Sequence, residues 1–308
     1  MLSITGASGR LGSQVVDALL GHKLISPKAL VLCTSSDPNA SRWDAIKQKG
    51  VNVRAADFDD TPSMIRAFTG CDKLLLISTP RIQLDFHNAP YGEGREKHHF
   101  AAIEAAREAG VSHIYYTSLA FGSNSKAGVM VAHSRTEDYL RNSSGIGFTI
   151  IREGLYNESW PLYFGHYKVP DDDRTEVPIA ADGLISWTPI EDMGLGTALV
   201  VTDDPKKYSG RMFYLSSTAS CRIRDVAKTV TEAKGHPVHL EIVGKDGHVK
   251  YYVNERGMDE GLVKWWASTY DAVLDGECDI KDDTLEKLIA GRGMKNETIE
   301  EKVRMMLS

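Results

Sequence analysis

Short apolar runs alternate with longer amphipathic stretches through the first half of the chain. Leu2 and Ile4, within Met1-Leu2-Ser3-Ile4-Thr5, suit a short buried strand. Ala29-Leu30-Val31-Leu32-Cys33 is unbroken, as a strand covered on both faces should be. Val51-Asn52-Val53-Arg54-Ala55, Lys73-Leu74-Leu75-Leu76-Ile77-Ser78, Ser112-His113-Ile114-Tyr115-Tyr116-Thr117-Ser118 and Gly147-Phe148-Thr149-Ile150-Ile151 continue the series. Between them lie helical patterns. Val15, Val16, Ala18, Leu19 and Leu20 form one apolar face, and further helices are predicted over 42–49, 61–70, 95–109 and 131–141. Gly50, Gly70 and Gly110 stop three of these. Thr61 reads as an N-cap, with Pro62 at the first helical position. This rhythm means βαβ units, and right-handed crossovers then give an α/β fold with a doubly wound parallel sheet. Ligands of such a sheet bind at the carboxyl ends of its strands.

The rhythm fails in the second half. Asp171-Asp172-Asp173 reads as a solvated turn. Ser186-Trp187-Thr188 reads as a short strand, followed by a helix entry through Pro189, Ile190, Glu191, Asp192 and Met193. One more strand is expected over 211–215, and helices over 223–234, 257–274 and 298–307. The division expected is a Rossmann-type nucleotide-binding domain over 1–155 and a smaller C-terminal α/β lobe over 156–308, interleaved with the sheet edge.

The first strand runs into Gly6-Ala7-Ser8-Gly9-Arg10-Leu11-Gly12 and then into a helix. Strand, glycine turn and helix start make the phosphate-binding corner of a dinucleotide fold. Gly6 suits the tight turn, Gly9 lets backbone approach a pyrophosphate, and Gly12 lets helix and strand pack closely. The helix N-terminus offers unspent N–H groups to an anion. The G-x-x-G-x-x-G spacing suits short-chain reductase-like folds. The rest of the site should come from residues following the other strands: Thr34, Ser35 and Ser36, Asp57 and Phe58, Ser78, Thr79, Pro80 and Arg81, Thr117 and Ser118 to Phe121, and Arg152 to Asn157.

Composition narrows the function. The net charge of −6 opposes broad binding to nucleic-acid phosphates. No apolar run approaches the roughly 20 residues of a membrane span, and the N-terminus lacks the basic and apolar regions of a secretory signal. Cys33, Cys71, Cys221 and Cys278 are far apart and read as reduced thiols of a cytoplasmic protein. No histidine pair has a cysteine or carboxylate at ligand spacing, so no metal site is expected.

Short-chain reductases use a Tyr-x-x-x-Lys pair for proton transfer, and none of the 12 tyrosines here has lysine four residues on. The helix after the fifth strand offers a substitute. His133, Thr136 and Glu137 fall at i, i+3 and i+4, so His133 suits a place in the cleft, with Glu137 orienting it or anchoring the helix. Tyr156, beyond the sixth strand, suits a pocket wall or a hydrogen-bond donor. At the end of the second strand, Thr34 and Ser35 can bond either a ribose hydroxyl or a 2′-phosphate, and Arg42 tilts the choice toward NADP(H), with NAD(H) left open. Trp160, Tyr163, Phe164, Trp187, Trp265 and Trp266 are candidates for a flat substrate's pocket, or for core.

Several of these segments together resemble the NmrA-like, atypical short-chain dehydrogenase/reductase family. They are Ile4 to Gly12, Val53-Arg54-Ala55-Ala56-Asp57, Lys73 to Ser78, Tyr116-Thr117-Ser118-Leu119, His133-x-x-Thr136-Glu137, and Thr149-Ile150-Ile151-Arg152-x-Gly154-x-Tyr156-x-Glu158. They are most similar to the branch of NADPH-dependent quinone oxidoreductases and triphenylmethane reductase. The resemblance implies bound NADP(H), a C-terminal lobe closing a substrate cleft, His133 on the active-site helix, and Thr79, Pro80 and Thr117 beside the nicotinamide. It departs at Thr34-Ser35, where related reductases often carry Arg-Asn. The reading is a reductase that transfers hydride to a small aromatic, quinone-like or conjugated compound. The alternative is a non-catalytic NAD(P) sensor that binds a protein partner.

Overall fold

The computed structural model describes every residue except Met294 and Asn296. Seven parallel strands form the central sheet: β1 (Leu2–Ile4), β2 (Leu30–Thr34), β3 (Asn52–Ala55), β4 (Lys73–Ile77), β5 (His113–Leu119), β6 (Gly147–Glu153) and, after four short strands, β11 (Met212–Leu215). Their order is β11-β6-β5-β4-β1-β2-β3. The chain therefore starts in the middle and winds out in both directions. The reversal lies between β1 and β4, which pair in register Leu2↔Lys73 to Ile4↔Leu75.

Helices cover both faces. On one lie α1 (Arg10–Gly21), α2 (Asp44–Gln48), α7 (Ile190–Thr202) and α11 (Thr284–Ile289); on the other lie α3 (Thr61–Phe68), α4 (Glu96–Glu108) and α5 (Gly128–Asn142). This explains the unbroken run in β2. Leu30 and Leu32 join the α1 side of the core, while Val31 and Cys33 join the α3 side. Lys73 fixes α7 to the sheet by donating from Nζ to the carbonyls of Val201 and Asp203, at 2.9 and 3.0 Å, where the helix terminus is electronegative.

Among the described residues, besides short 3-10 and π turns, there remain four strands between β6 and β11, two beyond it and five α-helices. The strands are β7 (Leu155–Tyr156), β8 (Glu176–Ile179), β9 (Leu184–Ile185), β10 (Trp187–Thr188), β12 (Cys221–Arg222) and β13 (His239–Ile242). The helices are α6 (Trp160–Tyr163), α8 (Ile223–Lys234), α9 (Gly244–Lys250), α10 (Glu260–Leu274) and α12 (Ile299–Leu307). They surround a separate apolar cluster that includes Trp160, Tyr163 and Phe164. Among the described residues, no helix is long and apolar enough to cross a membrane.

Two local expectations need correction. Asp60, rather than Thr61, caps α3, because its carboxylate accepts from the Ser63 N–H. Asp172 is not solvated: it is buried against Arg174, which donates from Nη2 at 2.7 Å and also bonds the Tyr252 hydroxyl. Of the two places open to Trp160, Tyr163 and Phe164, they take the core, fully buried in the separate apolar cluster.

Candidate functional site

A cavity of about 730 Å³ runs along the carboxyl ends of β1 to β6, within the size range of small-molecule and cofactor sites. Its floor at the switch point is the glycine turn. Gly6 holds φ at +60°, a conformation that favours glycine. A Cβ at Gly12 would collide with the Gly6 carbonyl oxygen, so α1 can start this close to β1 only with glycine there. The Gly9 N–H is spent on the Gly6 carbonyl at 2.9 Å. No side chain caps α1, which leaves the first-turn N–H groups for an anion. Ser8, Arg10 and Leu11 line the cavity with the three glycines. Ala7 does not; it is buried in the core cluster under α1.

On the β2 side, Arg42 reaches back from the turn before α2. Its guanidinium bonds the Ser36 hydroxyl and, at 3.3 Å, Thr34 Oγ1, and lies 5.0 Å from the centre of the Trp43 ring. Thr34 and Ser36 hydroxyls are 2.8 Å apart, and Ser35 borders the same space. A cation beside two hydroxyls suits a phosphate monoester. Asp57 and Phe58 follow β3 at the edge of the cavity. Arg81, beyond β4, pairs with Asp59 and lies 3.6 Å from Asp57, while Phe58 stacks on His98. These contacts tie the loops after β3 and β4 across the cavity mouth.

On the far side lie Ser78, Thr79, Pro80, Thr117, Ser118, His133 and Tyr156. Ser78 N–H donates to Thr117 Oγ1 at 3.2 Å. Behind His133 runs a buried chain of bonds that fixes its tautomer. The Thr79 N–H donates to His99 Nε2 at 3.1 Å, so the His99 hydrogen is on Nδ1. Thr136 spends its own hydrogen on the Ala132 carbonyl and accepts from His99 Nδ1 at 2.9 Å. The Tyr116 hydroxyl faces both His99 Nδ1 at 3.3 Å and His133 Nδ1 at 2.8 Å. Only the second can accept its hydrogen. His133 therefore carries its hydrogen on Nε2, the nitrogen left for the cavity. Burial, with the nearby charge of Arg95, holds His133 well below the ordinary imidazole value, so it is neutral at neutral pH.

Glu137 does not orient His133. It accepts from Arg152 at 3.0 and 2.9 Å and from Ser118 at 2.7 Å, and Arg141 joins at 3.0 Å. Burial opposes the charge on Glu137, but Arg152 outweighs it and holds the carboxyl below its usual value. The pair locks α5 to β6 and so sets the position of His133 one turn earlier. Tyr156 is raised above the phenol range by burial, which makes it a neutral donor.

Residues 1–270 match the NmrA-like family. The chain belongs to that family. It is 31% identical over 280 residues, 88% of this chain and 85% of the relative, to the NmrA-like family domain-containing oxidoreductase flvB of Aspergillus flavus. The NADPH-dependent quinone oxidoreductase QOR2 of Escherichia coli, solved with NADPH, superposes over 100% of both chains with a TM-score of 0.81 and 27% identity. The triphenylmethane reductase of Citrobacter sp., solved with NADP(H), covers 99% of both chains with a TM-score of 0.77 and 26% identity.

This NmrA-like chain also lines its cavity with Arg95, which sequence reasoning missed, and with Ser36 and Glu153. Ser36 lies where the expected stretch after the second strand placed it. Arg95 is buried on Asp85 at 2.6 Å and on the Val129 carbonyl at 3.0 Å, a pairing across a loop that no spacing signals. Glu153, within the expected stretch after the sixth strand, ends β6 and is buried in the cavity wall. Beyond residue 156 the chain contributes nothing to this cavity among the described residues; Trp187 borders a separate hollow, and Trp265 another.

Proposed function

We propose that this protein reduces a small quinone-like or conjugated acceptor with NADPH. It is an NAD(P)H-dependent oxidoreductase of the atypical short-chain type, as its relatives are, and NADP(H) is its dinucleotide. The observation that carries the reading is the continuity of one cavity from the Arg42 cluster, past the glycine turn, to the Nε2 side of His133. The first-turn N–H groups of α1 would hold the pyrophosphate. Arg42, Thr34 and Ser36 would hold the 2′-phosphate, with Asp57 and Phe58 beside the adenine. The opposite end then extends over β4 to β6, toward Ser78, Thr79, Pro80, Thr117 and Ser118.

The bound dinucleotide supplies hydride to the acceptor. His133 donates its Nε2–H to the acceptor oxygen as negative charge grows there, and Tyr156 offers a second hydrogen bond. Neither gives up a proton readily: His133 would become imidazolate, and the phenol is raised by burial. Such donors suit an acceptor whose reduced oxygen is already stabilised by conjugation, as in a quinone. The lack of a Tyr-x-x-x-Lys pair is then no obstacle.

The test is to mix purified protein with NADPH or NADH and a panel of quinones and cationic dyes, following absorbance near ~340 nm. Acceptor-dependent loss of that band is expected. Tight NADPH binding with no oxidation by any acceptor would instead favour the cofactor sensor.

A further inference from the structure

The cavity wall carries a carboxyl group that hydride transfer leaves unused. Glu153 ends β6, between Leu119 of β5 and Leu215 of β11, and is 1% exposed. Its side chain takes the sheet face of Ile151, toward α1 and α7. Oε1 accepts the Thr197 hydroxyl from α7 at 2.7 Å. Oε2 has no hydrogen-bond partner among the described residues. Arg152, its neighbour, points to the other face and is spent on Glu137. The Tyr156 phenol of β7 interacts electrostatically with Glu153, Arg10 at the head of α1 and Glu158 act on that phenol in turn, and none of the three bonds Glu153 among the described residues. Burial without a paired cation pushes Glu153 up to about 8, against a smaller opposing effect of the Thr197 bond. The carboxyl is therefore protonated at neutral pH, and with Oε1 occupied as an acceptor, the hydrogen is on Oε2.

A neutral acid so placed responds to positive charge in the cavity. A reduced nicotinamide ring is neutral and an oxidised ring is a cation. This step rests on the reading above, in which the ring end of the dinucleotide extends over β4 to β6. We propose that Glu153 is a redox-linked proton-holding group, keeping the hydrogen on Oε2 beside the reduced ring and releasing it beside the oxidised one. The O–H bond of Oε2 breaks, its electron pair stays on the carboxylate, and the proton enters the cavity water. A quinone acceptor takes up one hydride and one proton, so the sum is NADPH + quinone + H⁺ → NADP⁺ + hydroquinone. Glu153 lends the proton and regains it from solvent when the oxidised dinucleotide departs. Its carboxylate is the counter-ion in the interval.

The experiment measures Kd for NADP⁺ and NADPH with the intact protein from pH 6 to 9. Their ratio cancels ionisation of the 2′-phosphate, which both share. Kd(NADP⁺)/Kd(NADPH) should fall by up to ~10-fold per pH unit up to about pH 8 and then level off. Calorimetry at pH 7 in two buffers of different ionisation heat should show close to one proton released with NADP⁺ and none with NADPH. In Glu153→Gln the ratio should be flat. In Thr197→Val, which removes a donor to the carboxylate, the bend should move to higher pH. A flat ratio in the wild-type protein overturns the proposal whatever the variants do, while leaving the reductase reading intact. Failure of both dinucleotides to bind overturns that reading instead.

Discussion

Tyr116 donates its hydroxyl hydrogen to Nδ1 of His133 across 2.8 Å, and this bond decides what the histidine offers the cavity. With Nδ1 occupied, His133 presents Nε2–H as a neutral donor. Tyr116→Phe removes the hydroxyl without removing bulk and leaves Nδ1 unsatisfied, so the imidazole can take the other tautomer. An expected fall in kcat of about 10-fold, with KM for NADPH unchanged, follows from losing part of a positioned donor. Steady-state kinetics check it. An unchanged kcat would mean that the tautomer does not matter.

Burial of five histidines, two of them in the same chain of bonds, has a pH consequence. His133 and His99 are held well below 6.5, and burial takes His113, His166 and His248 to about 4. Each is neutral when folded but takes a proton near pH 6.5 when unfolded. Their contribution is thus complete above about pH 6.5 and is lost as pH falls toward the folded values, by up to about 1.4 kcal/mol per pH unit for each histidine. Tm should decline gently from pH 7 to 8, where Glu153, raised to about 8, counts against the fold as pH rises, and should drop steeply below pH 6, where the five histidines outweigh it. A Tm that held constant to pH 5 would contradict the buried neutral assignments.

Arg42 carries the dinucleotide choice. Arg42→Ala removes the cation beside Thr34 and Ser36, and Kd for NADPH should rise about 10- to 100-fold while that for NADH changes little. Fluorescence titration with both dinucleotides measures this. Equal losses for the two would assign the 2′-phosphate elsewhere.

Sequence reasoning reached Arg42 by its distance from the second strand, but not its hold on Ser36, which depends on the turn before α2. The sheet was legible because its strands are buried on both faces and keep nearly unbroken apolar runs. The glycine turn was legible because residue 12 tolerates no Cβ. Of the two roles the spacing left to Glu137, the structure shows the anchor: i and i+4 share a helix side, yet Arg152 on β6 offers a stronger partner than a neutral imidazole. Asp172 misled, since a run of three aspartates reads as solvated until Arg174 folds over it. Arg95 and Asp85 left no sequence signal because only the folded loop brings them together.

The Glu137–Arg152 pair is nearly inaccessible, with both side chains 1% exposed. Breaking it leaves buried Glu137 with only Ser118 and the exposed Arg141 against its charge, so Arg152→Leu should cost up to about 3–5 kcal/mol in stability. Chemical denaturation measures the loss. A cost under 1 kcal/mol would show that water reaches Glu137 and that the pair does not anchor α5.

The most direct measurement is single-turnover oxidation of stoichiometric NADPH by a quinone, in the wild-type protein and in His133→Ala. Rapid, quinone-dependent loss of absorbance near ~340 nm is expected in the wild type, slowed by about 10²-fold in the variant, with NADPH still bound. Equal rates in the two proteins, or no loss with any acceptor while NADPH stays bound, would contradict hydride transfer assisted by His133.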